Sequence, residues 1–142
     1  MSEQTSSGVM AGKRGLIMGV ANDRSIGWGI ASKLAEHGAE LAFTFQGEAL
    51  QKRVIPLAES VGSNLVLPCD VTDEASVDAV FDKLKSEWDE LDFVLHAIAY
   101  SDKEELKGGY VDTSRDNFQR TMDISVYSFT EITRKATAMM KD

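Results

Sequence analysis

Gly19, Ser25, Gly27 and Gly29 follow directly on a short apolar run, Gly15 to Met18, and open a segment of helical period. A helix N-terminus presents unpaired N–H groups and about half a positive charge, and a glycine lets backbone approach an anion without a Cβ in between. The chemistry suited to this arrangement is the holding of a phosphate or pyrophosphate. The spacing departs from G-x-G-x-x-G, so as a bare pattern it serves turn geometry and helix–strand packing as well. The strand before it and the helix after it favour the anion.

Three further strand ends carry candidates. Phe45-Gln46 closes the second apolar run, where a nucleotide-binding fold contacts the adenosine ribose. A carboxylate there would accept from both ribose hydroxyls and an arginine would welcome a 2′-phosphate; Gln46 is neither, which leans towards NAD over NADP and is equally compatible with a surface residue of no role. Cys69-Asp70-Val71 closes the third run. Asp70 can accept from an exocyclic amine while the next N–H donates to the ring, or it can help cap the helix opening near Asp73. The fourth run ends in His96-Ala97-Ile98-Ala99-Tyr100-Ser101, whose small residues would let a flat ring lie against the backbone. His96 reads as a hydrogen-bonded core residue rather than a catalytic base, because buried polar groups seldom go unpaired.

These ends must be positioned by strands at Gly15–Met18, Leu41–Phe45, Leu65–Leu67 and Phe93–Leu95, alternating with longer helical segments. The first helix carries Ile26, Ile30 and Leu34, with Ser25 as N-cap and Gly38 past its end. The second sets Leu50, Val54, Leu57, Ala58 and Val61 on one face, and Pro56 is expected to bend or interrupt it near Lys52 to Arg53. The third places Val77, Val80, Phe81, Leu84 and Trp88 on one stripe. A fourth opens near Thr113 or Ser114 and runs through Phe118, Met122, Ser125, Phe129, Ile132 and Ala136. Continuous apolar strands joined by right-handed crossovers give an α/β, Rossmann-like doubly wound parallel sheet, its first half in the order 3-2-1-4. The loop Ser101 to Asp112 then lines the ligand crevice.

With 142 residues, 43 % hydrophobic and 27 % charged, the chain has the composition of one globular domain, 12–142, after a loose leader at 1–11. A net charge of −8 without a basic stripe argues against nucleic acid or an anionic membrane as partner. No stretch approaches the roughly 18 apolar residues of a membrane span, and a cytoplasmic protein is expected. The single cysteine, Cys69, reads as a small buried residue, and no metal site is expected.

The ordered motifs resemble those of the bacterial enoyl-acyl-carrier-protein reductases, within the short-chain dehydrogenase/reductase superfamily. They are Gly19-Val20-Ala21 with Ser25-Ile26-Gly27-Trp28-Gly29-Ile30-Ala31, Gly38 to Gln46, Cys69-Asp70-Val71, His96-Ala97-Ile98-Ala99, and Asp123-Ile124-Ser125-Val126-Tyr127-Ser128-Phe129. Ordinary superfamily members show T-G-x-x-x-G-x-G, N-A-G and a helix asparagine. Here a stretched glycine turn, H-A-I-A and Ile124-Ser125 stand in their places.

The resemblance implies a cofactor cradle of Gly19, Ser25, Ile26, Gln46, Asp70, Val71 and Ile98, with Ser101 and Tyr100 facing the substrate. It implies hydride transfer from NADH to the β-carbon of a trans-2-enoyl thioester on acyl carrier protein, in fatty-acid biosynthesis, by a homotetramer. The hydride leaves an enolate whose oxyanion needs stabilising. The family uses a tyrosine and a lysine in a Y-x6-K arrangement after a fifth strand, so the catalytic residues and C-terminal strands are expected beyond Asp142, and the chain alone is expected to be inactive. Tyr100 and Lys107 match the text of that motif but fall in a loop bounded by Gly108-Gly109, where they would not share a helix face. Two alternatives stay open: a carbonyl-reducing member of the superfamily, and a non-catalytic NAD-binding fragment.

Overall fold

The computed structural model describes residues 8–141. Its strands are β1 (Arg14–Met18), β2 (Glu40–Phe45), β3 (Val66–Pro68) and β4 (Phe93–His96), all parallel, in the order β3-β2-β1-β4. The helices are α1 (Ile26–Glu36), α2 (Glu48–Ser60), α3 (Glu74–Glu87), α4 (Arg115–Met122) and α5 (Ser128–Thr137), with a π-helical turn at Asp123–Tyr127 between the last two. The expected half of a doubly wound sheet is what forms.

The two-residue period of β1 divides the core. Leu16 and Met18 face α3 and α5, meeting Val77, Phe81, Leu84, Ile132 and Ala136. Ile17 faces the other way, with Ala31 of α1, Phe43 of β2 and Val54 and Ala58 of α2. All three β1 residues are fully buried, as a parallel sheet covered on both faces requires. Of the leader, residues 1–7 lie outside the described residues. Residues 8–11 form turns joined to the end of α1, where Met10 N–H donates to the His37 carbonyl at 2.9 Å.

Three expectations about helices are corrected. α2 runs unbroken through Pro56, whose exposed position leaves the carbonyl of the equally exposed Lys52 open to water. On α1 the buried residues are Gly27 and Ala31, while Ile26 is 81 % exposed and Ile30 40 %. On the last helical stretch the buried residues are Asn117, Ser128, Glu131, Ile132 and Ala136, and Phe118, Met122 and Phe129 are exposed. The π-helical turn adds one residue to the helical repeat and rotates the face that α5 presents to the core.

Candidate functional site

Met18, Phe45, Pro68 and His96 end the strands at one edge of the sheet, and the loops leaving them surround an open cleft of about 220 Å³. Its lining includes Gly19, Gln46, Val71, Ile98 and Tyr100, which come from all four candidate strand ends. Cys69, Thr44 and Leu50 complete the wall on the β2–β3 side, and Ile124 of the π-helical turn closes it on the β4 side.

Gly19 is fixed by two constraints. Its φ is +104°, and a Cβ built on it would lie 2.0 Å from the Ala97 carbonyl oxygen. The chain leaving β1 therefore touches the chain leaving β4, and only glycine fits between them. Beyond it the loop is shaped by Ser25, whose Oγ accepts from Ala21 N–H at 2.9 Å and Asn22 N–H at 3.1 Å. Ser25 occupies the N-cap backbone position of α1 but makes no side-chain cap bond to it. Its hydroxyl proton is used in neither bond. The start of α1 thus offers N–H groups, a free hydroxyl proton and Gly29, around whose Cβ position nothing lies within 4 Å. This is a surface suited to an anion.

Gln46 is exposed at the end of β2, next to Gly47 at φ +83°. Asp70 does not cap α3: that bond is made by Asp73, which accepts from Ala75 N–H at 3.1 Å. Asp70 instead bends the turn, its Oδ1 accepting from Thr72 N–H at 2.9 Å and Thr72 Oγ1 at 2.7 Å. Its second oxygen takes part in neither bond. Cys69 is buried, and desolvation, with the neighbouring Asp70 charge second, pushes its thiol up to about 11. A thiol held neutral in this way is a packing residue, not a nucleophile.

His96 is a structural group. Its Nε2 lies 2.7 Å from Ser128 Oγ, and its ring meets Phe129 edge-on at 5.5 Å. Burial holds its pKa below the ordinary histidine value. Tyr100 is clasped by Ser125 and overlaid by the Arg120 guanidinium at 4.7 Å. Ser101 turns away from the cleft into a neighbouring space of about 420 Å³ between the loop and α4, where its Oγ accepts from Asn117 Nδ2 at 3.1 Å. Lys107 pairs with Glu104 at 3.0 Å in a run of turns, so Tyr100 and Lys107 share no helix.

Ser25 and Ile26 stand at the start of α1 and Asp70 in the turn after β3, beside the cleft rather than in its wall. The residue missed from sequence is Asn117, which reaches the β4 end from α4; Ile124 and Ser125, noted there only as a motif, reach it from the π-helical turn. An asparagine in the first turn of a helix, a poor site by propensity, was the one available signal.

The enoyl-(acyl carrier protein) reductase family matches residues 19–142. Enoyl-[acyl-carrier-protein] reductase [NADH] 1 of Rhizobium meliloti is 63 % identical over 96 % of this chain and 50 % of its own length. The crystal structure of FabI from Candidatus Liberibacter asiaticus superposes with a TM-score of 0.91 at 55 % identity, over 93 % of this chain and 51 % of that one. The Anaplasma phagocytophilum enoyl-(acyl-carrier-protein) reductase, solved in complex with NAD, gives 0.89 at 56 % identity over 93 % and 50 %. The chain spans about half the length of the curated relatives it matches. The match over residues 19–142 and the 63 % identity along 96 % of its length show that the chain belongs to the enoyl-(acyl carrier protein) reductase family.

Proposed function

We propose that this chain supplies the NAD-binding cleft of an NADH-dependent enoyl-acyl-carrier-protein reductase of fatty-acid biosynthesis. The observation that carries the reading is the convergence of Gly19, Gln46, Val71, Ile98 and Tyr100 on one cleft at the carboxyl edge of the sheet, beside the switch point between β1 and β4. The residues present fit the cofactor. The start of α1 with the Ser25 hydroxyl and the open side of Gly29 would hold the pyrophosphate. Gln46 would meet the adenosine ribose, and Asp70 with Val71 the adenine. Ile98 and the backbone of Ala97 and Ala99 would lie along the nicotinamide half, with Tyr100 towards the acyl group and Ser101 facing the adjoining space beside α4. When bound, NADH supplies a hydride for the β-carbon of a trans-2-enoyl thioester presented by acyl carrier protein.

The part played by the chain's own residues is to orient the two halves of the cofactor and keep water from the β4 side. The resemblance assigns a tyrosine to the thioester carbonyl and a lysine to the nicotinamide ribose, roles that Tyr100 and Lys107, which share no helix, do not fill. Assembly into a homotetramer draws support from the exposed Phe118, Met122, Val126 and Phe129, apolar side chains along one helical stretch. No described helix is long and apolar enough to cross a membrane, in keeping with a cytoplasmic site of action.

Calorimetric titration with NADH and NADPH, followed by NADH oxidation assays with crotonyl and acetoacetyl thioesters, tests this. NADH is expected to bind more tightly than NADPH, because Gln46 gives no charge to a 2′-phosphate. Oxidation with the acetoacetyl thioester alone would replace the reading by carbonyl reduction. Residues 1–142 by themselves are expected to bind NADH without oxidising it with either thioester, and failure to bind NADH would overturn the reading.

A further inference from the structure

We infer that Asn117 is a positioning residue for the nicotinamide end of the cleft, acting through the Ser101–Asp102 backbone. The inference rests on the cofactor reading above.

Asn117 is 7 % exposed, in the first turn of α4, yet its polar atoms are committed to the loop that leaves β4. Its Oδ1 accepts from Asp102 N–H at 2.9 Å and, more weakly, from Thr121 Oγ1 at 3.4 Å. Its Nδ2 donates to Ser101 Oγ at 3.1 Å, and its own N–H donates to the capping Ser114 Oγ at 3.1 Å. Ser114 passes the chain on. Its N–H and Oγ donate to the two carboxylate oxygens of Glu105 at 2.6 and 2.8 Å.

Residues 101–105 are therefore pinned at both ends to the N-terminus of one helix. The segment Ala97–Tyr100, which lines the cleft, runs directly into the first of those pins. A dinucleotide lying across the β1–β4 switch point, with its adenosine at the β2 and β3 ends, extends its other nucleotide over β4. The adenine half touches Gln46, Asp70 and Val71, none of which bonds to Asn117. Loss of the amide should thus be felt by one half of the ligand only.

The test compares NADH with ADP, which spans only the adenine-to-pyrophosphate part, by calorimetry on the full chain and on Asn117→Ala. NADH is expected to bind about fivefold to tenfold more weakly to the variant, the scale of one or two lost hydrogen bonds, with ADP affinity unchanged. Hydrogen exchange gives a readout independent of ligand. The Asp102 amide should exchange faster, while the Ala97 amide, bonded to the Met18 carbonyl at 2.9 Å, keeps its protection. Equal weakening of both ligands would make Asn117 merely structural and overturn the inference, as would unchanged NADH binding. Should Asn117→Ala fail to fold, Ser101→Ala removes only the acceptor of Nδ2 and is expected to show the same ligand selectivity; its failure to do so would also overturn the inference. A parent chain that binds ADP but not NADH, or neither, would overturn the cofactor reading and the inference with it. Selective weakening on a binding parent supports both.

Discussion

One hydroxyl of Ser125 holds both backbone polar groups of Tyr100: it accepts from the Tyr100 N–H at 3.0 Å and donates to the Tyr100 carbonyl at 3.2 Å. The π-helical turn Asp123–Tyr127 is what brings Ser125 to the end of β4 while Ile124 enters the cleft wall. Among the described residues no other strand pairs with β4 on the side away from β1, and the serine satisfies both backbone groups of Tyr100 there.

Ser125→Ala is accordingly expected to cost about 1–2 kcal/mol of stability, the usual scale for two partly exposed hydrogen bonds. NADH affinity should fall with it. Urea denaturation and a binding titration of the same variant check this. Unchanged values in both would mean that water replaces the hydroxyl without loss.

The glycines separate fold from ligand. Gly19→Ala would put a methyl 2.0 Å from the Ala97 carbonyl oxygen in a backbone region that L-residues avoid, and is expected to cost about 3 kcal/mol or more. Gly29→Ala meets nothing within 4 Å and lies inside α1. It should raise stability by up to about 1 kcal/mol through helix propensity while weakening NADH binding, because the new methyl occupies the side left open to the pyrophosphate. Thermal denaturation beside calorimetry would show the two variants moving in opposite directions in stability.

Pro56 offers a gain with no functional cost. Within α2 it withholds an N–H from the Lys52 carbonyl, and both residues are exposed. Pro56→Ala is expected to stabilise the chain by about 1–3 kcal/mol, helix propensity being partly offset by the freer unfolded chain. NADH binding should not change. A loss of stability in urea would show that the ring stiffens the helix in a way its exposure does not suggest.

The strands were legible because β1 and β2 are covered on both faces, so they had to be written as unbroken apolar runs, and α3 because Val77, Val80, Phe81 and Leu84 repeat at the helical period. Ile26, Ile30, Phe118, Met122 and Phe129 misled for a physical reason: periodicity says that a helix has an apolar stripe, not that this chain covers it. The strand-end residues could be read as a site because strand order alone brings Gly19, Gln46, Val71 and Ile98 to one edge. Asn117 could not: it acts through hydrogen bonds to residues 15 and 16 positions away, set by a loop path that leaves no mark in local composition. Ser125 stood out as part of a motif, but its bond to Tyr100, 25 positions away, is set by a π-helical turn that the motif does not announce.

Cys69 should make stability depend on alkaline pH. Its folded-state pKa is raised to about 11 from an unfolded value near 9, chiefly by burial. The folded chain therefore holds a proton that the unfolded chain releases, and the associated stability is complete below pH 9 and lost as pH rises towards 11. The loss amounts to about 2–3 kcal/mol at most, one pKa unit being worth about 1.4 kcal/mol. Other groups titrate in that window, so the measurement is the difference between the parent chain and Cys69→Ala in urea at pH 8 and pH 10. The parent should lose more between the two. Parallel losses would mean that the thiol is solvated more than its surroundings indicate. The same neutral thiol should react slowly with iodoacetamide at pH 8 while the chain is folded.

His96 carries a tautomer that the neighbouring bonds dictate. Ser128 Oγ has one proton and gives it to the Ile124 carbonyl at 2.6 Å, so at the 2.7 Å contact with His96 Nε2 the imidazole must be the donor. Neutral His96 thus bears its hydrogen on Nε2, and any added proton goes to Nδ1. Burial, the largest influence on the group, disfavours that charged form and lowers the pKa. By linkage, a base depressed in the folded state costs stability as pH falls through the ordinary histidine value near 6.5 and towards the folded one. Nitrogen-15 chemical shifts should show the Nε2–H form at pH 7, with a titration midpoint below the ordinary histidine value near 6.5. Ser128→Ala should release the tautomer, mixing both forms, and loosen Ile124 in the cleft wall, so that NADH affinity falls together with the shift change. An Nδ1–H form in the parent chain would reverse the direction of the Ser128 bond and remove the reason for linking this pair to the cleft.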